Sequence, residues 1–196
     1  MIVKVNRRAD EMWGYIRPVL ASLAGRRASE RPLAGLDVID LGIGYGDFML
    51  RALQDGADFV VGADNNLENI SDANARLLAA GFSADRFGIF EADLDSSAEQ
   101  ELLFQRSFDV AICTSVLPYL TFQDDLLRRM ARFCAVSIVE CQYYGDGPGP
   151  FGIQNDADME IALSKHWHSV RAIGKTDLDI RQASRTIWAC AIAKYT

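Results

Sequence analysis

From residue 36 onward, short apolar runs alternate with segments whose apolar residues recur at helical spacing. "LDVIDL", "ADFVVGAD", "RFGIFEAD", "FDVAICTS" and "CAVSIVEC" are brief, rich in β-branched residues and bounded by polar positions. Runs of this kind predict buried parallel strands. Between them, Phe48, Met49, Ala52 and Leu53 share one helical face, with Gly56 placed to end it. Ile70, Ala73 and Leu77 share another, with Asn65 or Asn66 as cap and Gly81 as stop, and Leu126, Met130 and Phe133 a third, with Thr121 as cap. Strand–helix alternation predicts an α/β sandwich with right-handed crossovers.

The two ends differ from this middle. Met12, Ile16, Val19, Leu20 and Leu23 are spaced for a helix face over residues 8–25, but Pro18 and Gly14 predict a kink or two short helices. Near the other end, "SVRAIGKT" and "RTIWACAIAKY" are strand-like and separated only by "DLDIRQAS". So short a link predicts an antiparallel pair, because a parallel crossover needs about a dozen residues or more.

The chain has 196 residues, 49% of them hydrophobic, which suits one globular domain over 1–196. Within it, 1–35 form an N-terminal helical cap and 36–196 the core. No apolar run approaches the ~20 residues of a bilayer-spanning helix, and the N-terminus lacks an apolar signal region. A cytoplasmic protein without membrane association is the expectation. Net charge is −7, which disfavours a general nucleic-acid binder. Residues 1–31 nevertheless carry seven basic and three acidic residues. They form either a solvated segment or a basic cap over an anionic substrate. Cys113, Cys134, Cys141 and Cys190 contain no CxxC pair, so buried thiols in a reducing compartment are expected. His166 and His168 read as solvated residues at an element boundary, and no metal is expected.

Ligands of open α/β sheets bind beyond the carboxyl ends of the strands, so the residues there are the candidates for chemistry. The first strand ends in Asp40-Leu41-Gly42-Ile43-Gly44-Tyr45-Gly46-Asp47. Glycines admit close approach of a ligand to the backbone, and the following helix start offers free N–H groups. The second strand ends in Asp64 and Asn65, and a carboxylate at that place can accept both hydroxyls of a ribose. The third ends at Asp93 and Leu94, where the carboxylate could take an exocyclic amine. The fourth ends at Thr114 and Ser115, before "VLPYL", and the fifth at Glu140. Each signal alone is common; the ordered set is not.

This series resembles the class I S-adenosylmethionine-dependent methyltransferase superfamily over about residues 36–194. "VIDLGIGYGDF" is similar to its acidic-x-Gly-x-Gly-x-Gly motif, with Asp40, Gly42, Gly44 and Gly46 in place. "VVGADNN" is similar to the ribose-binding motif, and "FEADLD" to the motif whose Asp meets the adenine amine and whose next residue packs on the ring. "FDVAICTSVLPYL" is similar to the segment lining the methionine side. The resemblance implies a Rossmann-like three-layer α/β/α sandwich, with a mostly parallel seven-stranded sheet and an antiparallel C-terminal strand. It implies S-adenosylmethionine as cofactor, held by Asp40, Gly42, Gly44, Gly46, Asp64, Asn65, Asp93, Leu94, Thr114 and Ser115.

The departures bear on the acceptor. Leu117-Pro118-Tyr119-Leu120 stands where many small-molecule methyltransferases carry a histidine. The Asn/Asp-Pro-Pro-Tyr/Phe motif of amino-directed nucleic-acid enzymes is missing, and Cys141 lacks the preceding proline of cytosine-ring enzymes. A small-molecule acceptor, methylated on O, N or C, is therefore expected over nucleic acid. Tyr119, Glu140, Tyr143 and Tyr144 are the catalytic candidates, with Tyr15 or Trp13 from the cap. The Gly/Pro-rich "QYYGDGPGPFG" is a substrate-facing loop or a plain connector. Trp167 and Trp188 read as packing residues, and Arg181 and Arg185 as solvated or at the rim. A non-catalytic methyltransferase-like binding protein or partner subunit stays open. An NAD-dependent oxidoreductase fits less well, because Asp47 stands where GxGxxG places its last glycine. The oligomeric state is left open.

Overall fold

The computed structural model describes residues 7–25, 30–143, 153–176 and 185–192. In chain order the elements are α1 (Arg7–Leu23), β1 (Asp37–Leu41), α2 (Asp47–Gln54), β2 (Phe59–Asp64), α3 (Leu67–Ala79), β3 (Phe87–Glu91), α4 (Ser97–Leu103), β4 (Phe108–Thr114), α5 (Gln123–Phe133), β5 (Cys134–Glu140), α6 (Asp156–Ser164), β6 (Ser169–Thr176) and β7 (Arg185–Ala191). A single 3-10 turn, Leu117–Tyr119, stands between β4 and α5.

The seven strands form one sheet in the order β3-β2-β1-β4-β5-β7-β6. Strands β1 to β5 pair in parallel, and β7 runs antiparallel to both β5 and β6. The strand order reverses between β1 and β4, where the loops leaving two neighbouring strands diverge to opposite faces and open a crevice.

Alternation along each strand feeds two cores. Ile39 and Leu41 of β1 pack toward α5 and α6 with Leu126, Met130, Met159 and Leu163. Val38 of the same strand faces α1, α2 and α3 with Met12, Ile16, Met49 and Leu77. Helices on both faces make the three-layer sandwich.

Local chemistry sets the helix limits. The Asn66 side chain accepts from the Glu68 and Asn69 amides and starts α3. Helices α2 and α3 both end on a left-handed glycine. Gly56 N–H and Ala57 N–H donate back to Leu53 and Ala52, and Gly81 and Phe82 repeat the arrangement with Leu78 and Leu77.

Three expectations are corrected. Helix α1 continues through Pro18 as one helix rather than as two short ones. The ring of a helical proline presses on the carbonyl four residues earlier, here that of Gly14, and a Cβ placed on Gly14 would meet no other element within 4 Å, so the backbone there has room to give. Thr121 does not cap α5; its amide and that of Phe122 instead donate to Asp95 Oδ1 at 2.7 and 2.8 Å. His166 is largely covered and lies 3.0 Å from Asp124, rather than solvated. Helices α4 and α6 were not anticipated from the pattern. No described helix is long and apolar enough to cross a membrane.

Candidate functional site

The loop after β1 is folded back on β2. Gly42 and Ile43 amides donate to Ala63 O at 2.8 and 3.2 Å. Gly42 has a φ of 76°, and a Cβ there would lie 2.2 Å from Val116 Cγ2. Any other residue would meet both a strained backbone and a collision. The Gly44 amide donates to Asp64 Oδ2 at 3.0 Å, so the second strand end holds the loop of the first. Gly46 does not reach the crevice: it precedes α2 with a φ of 72° and presses on Ala73 of α3.

The crevice is a cleft of about 460 Å³ at the carboxyl ends of β1, β2, β3 and β4. Gly42, Gly44, Asp64, Asn65, Asp93, Leu94, Thr114, Ser115 and Tyr119 all line it. Asp64 Oδ1 accepts from the Asn66 amide at 2.9 Å, and Asn69 Nδ2 lies 3.3 Å from the same oxygen. One Asp93 oxygen accepts from the Asp95 amide at 2.9 Å, which leaves its other oxygen for a ligand. Asp95 and Asn69 also line the cleft and were not singled out in the sequence; Val116, from the "VLPYL" segment after the fourth strand, joins them. The second acidic residue of "ADLDSS" was the available signal for Asp95. Its bonds to Thr121 and Phe122 tie the β3 loop to the β4 loop. Partial burial pushes its carboxyl up, but those hydrogen bonds outweigh it and hold the group below the usual range.

Asp40 lies beneath the loop, not on the cleft. It is 1% exposed, and neither carboxylate oxygen has a well-formed hydrogen-bond partner among the described residues. Burial, then the charges of Asp47 and Asp64, push its pKa up to about 8. Asp47 is buried and paired with Arg76 at 2.8 Å.

The catalytic candidates divide. Tyr119 stands on the cleft, 71% exposed. Glu140 is fully buried behind the cleft, its carboxylate bound by Arg8, by Arg185 at 3.4 Å and by the Ser115 hydroxyl at 3.0 Å. Tyr143 is half-buried against the α5–α6 core, and burial followed by the charge of Asp156 pushes its phenol far up. Tyr144 and most of the Gly/Pro-rich segment lie outside the described residues, as does Arg181. Arg185, expected solvated or at the rim, is 6% exposed; its guanidinium is bound by Glu140, Ser115 and Gln142. Arg8 and Arg17, from the basic segment, are internal anchors, Arg17 pairing with Asp55 at 2.9 Å. Trp167 and Trp188 are core residues. All four cysteines are buried and free, and burial followed by the charge of Glu140 pushes the Cys141 thiol up to about 12, a poor nucleophile. No cluster of metal-ligating side chains occurs among the described residues. A separate groove of about 490 Å³ between the start of α5 and the length of α6 contains none of the predicted site residues.

A family model described as "Methyltransferase domain" matches residues 38–136, from β1 into β5. The chain belongs to that family.

This methyltransferase domain is 33% identical over 108 residues to a ubiquinone biosynthesis O-methyltransferase of Rhizobium etli, covering 55% of this chain and 40% of that protein. The chain thus spans well under half the length of that curated relative. Among solved structures, the bifunctional kinase-methyltransferase WbdD superposes with a TM-score of 0.71 at 23% identity, over 97% of this chain and 40% of its own. The N-terminal domain of EvdMO1, crystallised with S-adenosylhomocysteine (SAH) and D-fucose, superposes with a TM-score of 0.66 at 16% identity, over 94% and 81%. These likenesses show the same fold.

The cofactor of the family is S-adenosylmethionine, and the cleft residues suit it. Gly44 leaves open space where a Cβ would stand, Asp64 and Asp93 present carboxylate oxygens, and buried Leu94 offers an apolar surface.

Proposed function

We propose that this methyltransferase domain transfers the methyl group of S-adenosylmethionine to a small-molecule acceptor at an O, N or C atom. A hydroxyl oxygen is the first class to test. The observation that carries the proposal is the single cleft in which Gly42, Gly44, Asp64, Asp93, Leu94, Thr114 and Ser115 meet at four strand ends. The O-methyltransferase named above supports oxygen as the acceptor atom.

The cofactor supplies an activated methyl on a sulfonium. In this assignment Asp64 accepts from ribose hydroxyls, Asp93 takes the exocyclic amine and Leu94 packs on the base. The Gly42–Gly44 backbone admits close approach, and Thr114 and Ser115 border the methionine end. Tyr119 is the catalytic candidate facing the cleft. Holding an acceptor in line with the S–CH3 bond can contribute about 7–11 kcal/mol, and a general base is required only for an acceptor that keeps its proton near neutral pH. Glu140 is assigned to positioning rather than proton transfer, because its carboxylate is already bound by two guanidiniums and a hydroxyl. The cytoplasm is the compartment proposed, supported by four buried, unlinked thiols. A nucleic-acid acceptor is disfavoured by the net charge of −7.

Incubation with methyl-tritiated S-adenosylmethionine and a metabolite extract tests the proposal. Label is expected in a small, extractable product. Cofactor binding without transfer to any fraction would make the chain a binding protein instead.

A further inference from the structure

We propose that Arg8, Arg185 and Glu140 form a positioning cluster that holds Ser115 in a left-handed backbone conformation, so that the N-terminal helix sets the shape of the cofactor cleft. The proposal rests on the cleft being the S-adenosylmethionine site.

Ser115 has a φ of 59°, and no other non-glycine residue among those described has a positive φ. Such a conformation persists only where the surroundings over-determine it. Here the surroundings are unusually complete. The Ser115 amide donates to Glu140 O at 3.1 Å. Its hydroxyl donates to Glu140 Oε2 at 3.0 Å and accepts from Arg8 Nη2 at 2.9 Å and Arg185 Nη1 at 2.8 Å. A serine hydroxyl has one donor and two acceptor sites, and all are engaged. Ser115 therefore lines the cleft with its hydroxyl already committed, and its contribution to a ligand is the course of its backbone.

That course has a consequence one residue later. Val116 lines the cleft, and its Cγ2 occupies the space a Cβ on Gly42 would need, 2.2 Å from it. The contacts run from Arg8 on α1, through Ser115 after β4, to Val116 and the glycine loop after β1. The clamping groups come from α1, β5 and β7, which are separated from Ser115 by 107, 25 and 70 residues. Glu140 is fully buried, so moving Arg8 or Arg185 away from it would leave a buried carboxylate short of an ion-pair partner, which opposes rearrangement of the cluster.

A double-mutant cycle tests this, with SAH binding read by calorimetry on the full chain. Arg8→Met is expected to weaken binding about tenfold when residue 115 is serine, and by no more than about threefold in the Ser115→Gly background, where no clamp is needed to reach positive φ. Equal losses in both backgrounds, or no loss in either, would overturn the proposal. Thermal melting without ligand supplies a second arm. Ser115→Ala, which loses the hydroxyl and keeps a Cβ, is expected to melt below Ser115→Gly; the reverse order overturns the proposal even where Arg8→Met does not fold. Failure of the unmodified chain to bind SAH would instead remove the cofactor assignment, and the shaping of a cofactor cleft with it.

Discussion

Asp64 ends β2 with a carboxylate that serves the protein before it serves any ligand. It accepts from the Gly44 amide at 3.0 Å and from the Asn66 amide at 2.9 Å, so the glycine loop and the start of α3 both depend on it. Asp64→Ala should weaken SAH binding at least about tenfold, since hydrogen bonds to a charged group are worth about 1.5–3 kcal/mol each. Isothermal calorimetry would show it. Asp40 makes a different prediction. The unfolded chain ionises it above its ordinary pKa of 3.8, whereas the folded protein keeps it protonated up to about 8. Over that window the unfolded state binds fewer protons, so Asp40 costs stability as pH rises. Asp40→Asn should therefore lose less stability than the unmodified chain in urea unfolding as pH goes from about 5 to about 8; parallel losses would show that Asp40 is ionised in the fold. Asp64 was legible on the cleft because sequence order places it at a strand end, whereas the burial of Asp40 away from the cleft was not. Arg8 and Arg185 were not: they meet Ser115 from 107 and 70 residues away, and nothing local marks which arginine turns inward.

At the scale of elements, α1 joins the fold by specific contacts rather than by amphipathicity alone. Trp13 Nε1 donates to Asp55 at 2.8 Å, and the Tyr15 ring lies on Gly174 of β6, where a Cβ would come within 2.3 Å of it. Gly174→Ala should lower unfolding free energy by about 1–3 kcal/mol through overpacking, measured by denaturant titration. An unchanged midpoint would mean that Tyr15 swings away and that α1 is loosely seated. Strands β1, β2, β4, β5 and β7 were readable because buried strands impose apolar runs on the sequence; β3, expected buried, and β6 are half-exposed edge strands, marked in the sequence only by their β-branched and aromatic residues. The single helix α1 was not readable, because proline's effect depends on the space its neighbours leave. Helix α4 is seven residues long, too short for a clear period. Helix α6 buries only Met159 and Leu163 and leaves Ile161 64% exposed, which blurs its pattern.

At the scale of the whole molecule, the strand order β3-β2-β1-β4-β5-β7-β6 puts the switch between β1 and β4 under the cleft. The glycine loop lies on one side, the acidic ends of β2 and β3 flank it, and Ser115 closes the other end over a buried ionic cluster. This arrangement has to distinguish an adenosyl sulfonium from a dinucleotide, which folds of similar topology also bind. The Gly-x-Gly-x-Gly spacing, with Asp47 paired to Arg76 where a third dinucleotide-motif glycine would stand, weighs toward the former. Titration of the purified chain with SAH and, separately, with NAD decides it most directly. The account predicts micromolar binding of SAH at one site, weakened at least about tenfold in Asp64→Ala, and no heat from NAD. Tight binding of NAD with none of SAH would contradict it.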